Sequence, residues 1–89
     1  MTVANTMRRK LIETFQPTVL EITDDSHKHA GHAGARPGGE THFSVEIVAA
    51  AFTGKSRVER QRLVYAALAE ELNDQVHALA LRTRAPGEA

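Results

Sequence analysis

No cysteine occurs among the 89 residues. Disulfides are thereby excluded, and so is any metal centre whose thiolates come from this chain. The same absence fits a cytoplasmic address. Tryptophan is missing as well, and the aromatic residues are limited to Phe15, Phe43, Phe52 and Tyr65. A stacking platform for single-stranded nucleic acid needs several exposed aromatics, so that mode of binding has little support. No run of about 18 apolar residues is present, which leaves no candidate membrane span. The start, Met1-Thr2-Val3-Ala4-Asn5, lacks a basic region followed by an apolar core, so no secretory leader is expected. Net charge is lacking too, because eleven basic residues balance eleven acidic ones. That balance argues against bulk attraction to nucleic acid or to an anionic membrane. There is neither a Gly-x-Ser-x-Gly pattern nor a phosphate-binding loop. Asp24-Asp25 beside His27 imitates an acid/base pair, but adjacent residues at a strand end point to opposite faces. Catalysis is not expected.

What the chain does have is histidine. Of its five histidines, four (His27, His29, His32 and His42) fall in one stretch rich in glycine. Imidazoles packed this closely suggest a metal or cluster ligand set. The breakers Gly31, Gly34, Pro37, Gly38 and Gly39 make the stretch a long loop.

Hydrophobic spacing supplies the scaffold around it. Val3, Met7, Leu11, Ile12 and Phe15 recur at helical intervals, with Thr2 or Thr6 as cap and Pro17 as terminator. Arg8, Arg9 and Lys10 fall on the polar side and in the later half of that helix, and all three are expected to be solvated. Thr18 to Asp24, rich in β-branched residues, reads as a strand. From His42 to Val48 polar and apolar residues alternate, which predicts a half-buried strand with Phe43, Val45 and Ile47 inward. Ala49 to Thr53 is ambiguous. Ser56 caps a helix running to about Asn73, with Val64, Leu68 and Leu72 on its buried face and Leu63 and Ala67 beside them. Val76 to Thr83 reads as a third strand in a well-covered position. The order is helix, strand, strand, helix, strand, an α/β (α+β) fold. It forms one domain over residues 1–84, with 85–89 as a flexible tail. A chain of this size buries only roughly 60–65% of its unfolded surface, so the core is small.

This order has a functional consequence. A strand–helix–strand crossover makes its two strands parallel. The second and third strands then begin at the same edge of the sheet. His77, remote in sequence, is therefore expected to stand near the histidine-rich loop that enters the second strand. His27 is expected to be solvated and His42 to make a structural hydrogen bond.

A second group of residues, Lys55, Arg57, Arg60 and Arg62, crowds the first turns of the second helix, where the helix dipole disfavours cations. With backbone N–H groups behind Gly54, this cluster reads as a candidate nucleic-acid- or anion-binding site, set against the plainer reading of a mixed charged face.

Several motifs in sequence order resemble the BolA family. They are Asp25-Ser26 with His29, Thr41-His42-Phe43-Ser44-Val45, Phe52-Thr53-Gly54-Lys55-Ser56, Arg60-Gln61-Arg62-Leu63-Val64, Leu68-Ala69-Glu70-Glu71-Leu72 and Val76-His77-Ala78-Leu79. The likeness runs from about Met7 to Thr83. Gln61 departs from the family's usual Arg-His-Arg. The resemblance implies a class II KH-like fold with one three-stranded mixed sheet. It implies a monothiol glutaredoxin as heterodimer partner and a shared [2Fe–2S] cluster. Glutaredoxin and glutathione would supply the thiolates, and this chain would hold no cofactor alone. At the matching positions His77 would be one ligand and His29 a second, with His32 as the alternative to His29. Some members are DNA-binding transcriptional regulators, which makes DNA a further possible partner. One glycine at Gly54 is not the GXXG clamp of RNA-binding KH domains.

Overall fold

A computed structural model of the protein describes residues 2–25, 42–74 and 76–88. Helix α1 spans Val3–Phe15, and strands β1 and β2 span Val19–Asp24 and His42–Val48. A short 3₁₀ turn, Ala50–Phe52, leads through Gly54 to helices α2 (Arg57–Ala67) and α3 (Ala69–Asn73), and strand β3 (Ala78–Arg84) follows.

Each element begins and ends for a local reason. Thr2 caps α1, its hydroxyl oxygen accepting the Asn5 N–H at 3.0 Å. The helix stops at Gln16, whose backbone turns left-handed at φ 49 immediately before Pro17; a proline there disfavours a further helical residue. Gly54 takes φ 78, which a side chain would strain, and this turn aims the chain at Ser56. Ser56 and Glu59 then form a reciprocal capping box at the start of α2.

Strands pair in the order β1-β2-β3, with β1–β2 antiparallel and β2–β3 parallel. The expected mixed three-stranded sheet and the common starting edge of β2 and β3 are both present. Phe43, Val45 and Ile47 are buried, as the alternation predicts. They meet Met7, Leu11 and Phe15 of α1, Val64 of α2, and Leu68, Phe52 and Val76 in one core. The Phe15 and Phe52 rings stand 5.2 Å apart and pin α1 to the end of β2. The helices cover one face of the sheet. The other face carries Glu21 and Thr23 of β1, Ser44 and Glu46 of β2, and Ala80 and Arg82 of β3, paired in register as rows across the strands.

Four expectations need correction. The long helix is two helices, because the backbone at Leu68 leaves the helical region (φ −108, ψ 19) while its side chain enters the core. Strand β3 starts two residues later than expected, since the Val76 N–H is taken by the Glu71 carbonyl at 2.8 Å. That strand lies at the sheet's edge and not under cover: β1 already occupies one side of β2, so the crossover must add to the other. Lys10 is not a solvated cation. Its ammonium donates to both Glu71 carboxylate oxygens at 3.1 and 2.8 Å, tying α1 to α3.

The residues expected as a flexible tail also take a defined place, as far as Glu88. Ala85 is buried. The Pro86-Gly87 turn, with Gly87 at φ 86, sends the Glu88 carboxylate back to Arg60, which donates to its two oxygens at 2.6 and 2.9 Å. No helix among the described residues is long and apolar enough to cross a membrane.

Candidate functional site

At the edge where β2 and β3 begin, two imidazoles come together. His42 is the first residue of β2, and its Cα is in register with that of Ala78, the first residue of β3. His77 immediately precedes Ala78. Neighbouring strands lie about 4.8 Å apart, so adjacent strand starts hold the two side chains within reach. Their ring centroids are 6.2 Å apart, edge to face at 73°. His77 is exposed and His42 half-buried.

The strand start at His42 is held firmly. Its carbonyl accepts the Asp25 N–H at 2.7 Å, which extends the β1–β2 ladder by one rung. Two residues on, the Ser44 hydroxyl donates to the Asp25 carboxylate. His42 and Ser44 share the face of the sheet that the helices leave open, so this end of the face is lined by imidazole, hydroxyl and carboxylate.

This edge offers nitrogen donors in a number that suits a shared centre. Among the described residues no group of three or more His, Cys, Asp or Glu side chains could hold a metal ion together. Two imidazoles fill half of a four-ligand set, and without cysteine any thiolates would have to come from another molecule. Two histidines on one iron of a [2Fe–2S] centre are a known ligand pattern, and the pair fits it.

The sequence expectations divide here. His77 stands at the predicted edge. His29 and His32, the expected second ligand and its alternative, lie outside the described residues, as does His27. His42 has a neighbour that sequence reasoning missed. Strand direction alone places His77 at this edge, and the register of β2 with β3 adds that His42, which opens β2, lies beside it.

The basic cluster is at the other end of the sheet. Arg60 does not belong to it. Its guanidinium is turned inward, 9% exposed, clamping Glu88 and donating to the Thr83 carbonyl at 3.4 Å. The bidentate pair holds the Glu88 carboxyl down to about 2, helped by the Ala85 N–H that it accepts. Lys55, Arg57 and Arg62 remain exposed. The N–H groups behind Gly54 are largely committed. That of Lys55 goes to the Phe52 carbonyl at 3.1 Å and that of Ser56 to the Glu59 carboxylate at 2.8 Å. The capping hydrogen bonds from Ser56 hold the Glu59 carboxyl below its ordinary range, and the charges of Lys55 and Arg62 add to this. The helix start therefore already carries an anion of its own.

Comparison with known proteins gives a consistent result. A family model described as "BolA-like protein" matches residues 11–88. BolA-like protein 1 of Homo sapiens is 49% identical over 82 residues, which cover 92% of this chain and 57% of that protein. The DNA-binding transcriptional regulator BolA of Escherichia coli is 43% identical over 83 residues, covering 93% of this chain and 75% of that one. The structure of BolA1 from Arabidopsis thaliana superposes with a TM-score of 0.90 at 45% identity, covering 100% of this chain and 97% of that one. Against some curated relatives, the human protein among them, the chain spans little more than half of their length.

Proposed function

This chain belongs to the BolA-like protein family, and from that premise we propose that it is a non-catalytic accessory protein of iron–sulfur chemistry. It would bind a monothiol glutaredoxin as a heterodimer and co-ligate a [2Fe–2S] cluster shared with that partner and its glutathione. The observation that carries this reading is the exposed His77 ring beside His42, on the one edge where β2 and β3 both begin. The partner supplies thiolates, which this chain lacks altogether. His77 supplies a nitrogen donor, and the second histidine comes from the same side of the interface. The bound cluster would contribute electron-accepting iron, tuned by the exchange of thiolate for imidazole. The chain's own work is to present the rings at the edge where β2 and β3 begin, His77 exposed and His42 half-exposed to a partner. The setting is the cytoplasm.

Co-expression with a monothiol glutaredoxin tests this directly. A coloured heterodimer is expected, and His77→Ala should change or abolish its visible spectrum while the chain stays folded. If the two proteins co-purify without colour, or the His77→Ala complex has an unchanged spectrum, the reading fails.

One observation favours a second reading, a DNA-binding regulator: the Escherichia coli relative carries that description. Its surface here would be Lys55, Arg57 and Arg62, without Arg60. Each phosphate contacted contributes a salt slope of about −0.9, so three cations give at most a shallow dependence. Duplex binding that weakens with salt and on Arg57→Ala, together with no glutaredoxin complex, would place this reading first.

A further inference from the structure

We propose that the uncovered face of the sheet pairs with the same face of a second copy of this chain, in a weak twofold dimer whose axis runs along β2. The proposal does not depend on the cluster-binding reading and is tested on this chain alone.

The open face sorts its charges by edge. On β1, at one edge, it carries Glu21; on β3, at the other, it carries Arg82 and Arg84. Glu46 of the central strand is neutralised by its ion pair with Arg84. Glu21 and Arg82 are left over. Both are exposed, and among the described residues neither has an ion pair or a side-chain hydrogen bond. Glu21 also lies directly opposite Glu46, and like charges so placed destabilise a strand pair. A cation brought from outside the chain relieves that contact.

Symmetry supplies the cation. Glu21, Glu46 and Arg82 form one row across the three strands, so Glu21 and Arg82 stand two strand spacings apart, about 10 Å. A twofold axis parallel to β2 exchanges the two edges of the sheet and keeps each row at its own height. Glu21 is then set over Arg82 of the second copy, and Arg82 over its Glu21, with no register left to adjust. An axis running across the strands would set each edge over itself, acid on acid and base on base. Charge therefore selects one orientation. The neighbouring row, Thr23, Ser44 and Ala80, has short side chains, and a trough of about 340 Å³ lies on this face. A second sheet can approach to the roughly 10 Å usual between packed sheets. Pairing the β3 edge of one copy with the β1 edge of the next would also match charges, but it repeats without closing, whereas the twofold arrangement closes at two. The face is small. Three strands of six or seven residues give a footprint of roughly 14 by 23 Å, well below the 800 Å² or so per partner of a standard interface, so the dimer exchanges readily with monomer. The plainer role for such a face is simple solvation, in which case reversing its charges leaves assembly untouched.

Sedimentation equilibrium of the unaltered chain, at low salt and up to about 1 mM, tests this. A dimer that grows in with concentration and weakens with added salt is expected. Glu21→Arg and Arg82→Glu each turn two attractive contacts into two repulsive ones, and either should weaken the dimer by roughly 10-fold or more. Mixed in equal amounts, the two variants should pair again, because the reversed side chain of one faces the reversed side chain of the other. Ala80→Trp fills the trough without altering a charge and should also prevent pairing. Circular dichroism confirms that each variant is folded. A chain that stays monomeric throughout overturns the proposal. So does a dimer that both charge reversals leave unchanged, or variants that fail to recover on mixing. Growth beyond two copies, or assembly that survives Ala80→Trp, would assign the association to the strand edges and overturns the face-to-face dimer.

Discussion

Where β2 and β3 finish, two arginines and their carboxylate partners are paired within the chain; where they begin, two imidazoles lie edge to face next to solvent. At the finishing end Arg60 grips Glu88 with two hydrogen bonds and donates a third to Thr83. Glu46 pairs with Arg84, Ser56 and Glu59 cap each other, and Phe52 fills the space under the 3₁₀ turn against Phe15. At the starting end the side chains are presented and not sealed in: His77 is exposed and His42 half-buried. The difference shows which end holds the fold together and, on the proposed reading, which end is kept for another molecule. Burial and internal pairing stabilise a small domain, whereas a ligand that must reach a shared centre has to stay accessible. Of the basic residues singled out from sequence, Arg60 is taken into this internal pairing, whereas Lys55, Arg57 and Arg62 stay exposed around a helix start that already carries Glu59.

The comparison breaks most visibly at Phe52. Its side chain is 0% exposed, and truncating a buried phenylalanine costs about 3–5 kcal/mol. Total stabilities of about 5–15 kcal/mol are usual, so Phe52→Ala should bring a domain of this size close to unfolding. Urea titration followed by circular dichroism measures it, and a loss below about 1 kcal/mol would mean that the finishing end does not hold the fold.

A smaller effect is expected at Glu88, and it depends on pH. Arg60 holds the Glu88 carboxyl down from 4.5 to about 2 in the folded chain. A depressed carboxyl stabilises the fold above its unfolded pKa and ceases to do so as pH falls through the folded value. Glu88→Gln should therefore melt at a lower temperature than the unaltered chain at pH 7. The gap should narrow from about pH 4.5 downward and close near pH 2. A gap that is constant over that range would show that the ionised pair contributes nothing. The same variant should leave the spectrum of a glutaredoxin complex unchanged.

The parts of this division that depend on periodicity were legible in the sequence. Alternation from His42 to Val48 gave β2 and its buried face, the three-to-four spacing gave α1, and a crossover forced β3 to run parallel to β2. From those alone His77 could be placed at the starting edge. Features that depend on side chains meeting across the fold were not legible. By charge and position Arg60 looks like its neighbours Arg57 and Arg62. Only the helical phase that buries Val64 shows that Arg60, one turn earlier, must also face inward. Its partner Glu88 lies past a Pro-Gly turn, 28 positions away, in a stretch whose composition reads as a tail. Lys10 and Glu71, on separate helices, pose the same problem. His42 was missed for a different reason: strand direction alone places His77 at the edge, but only the residue-by-residue register shows which side chain stands beside it.

The smallest expected change sharpens the comparison most. His77 is exposed and precedes β3, so its side chain adds little to the core. Exposed substitutions away from caps, cores and ion-pair networks usually alter stability by no more than about 0.5 kcal/mol. His77→Ala should therefore unfold in urea at nearly the same midpoint as the unaltered chain, with the same slope. An unchanged midpoint, set beside lost colour in the heterodimer, would separate a residue kept for a partner from one kept for the fold. A substantial fall in the midpoint would mean the opposite. The His42–His77 contact would then be part of the structure in its own right, and the starting end of the sheet would be as self-contained as the finishing end. Because loss of cluster binding follows trivially from loss of folding, this measurement must come before any spectrum of the variant complex is interpreted.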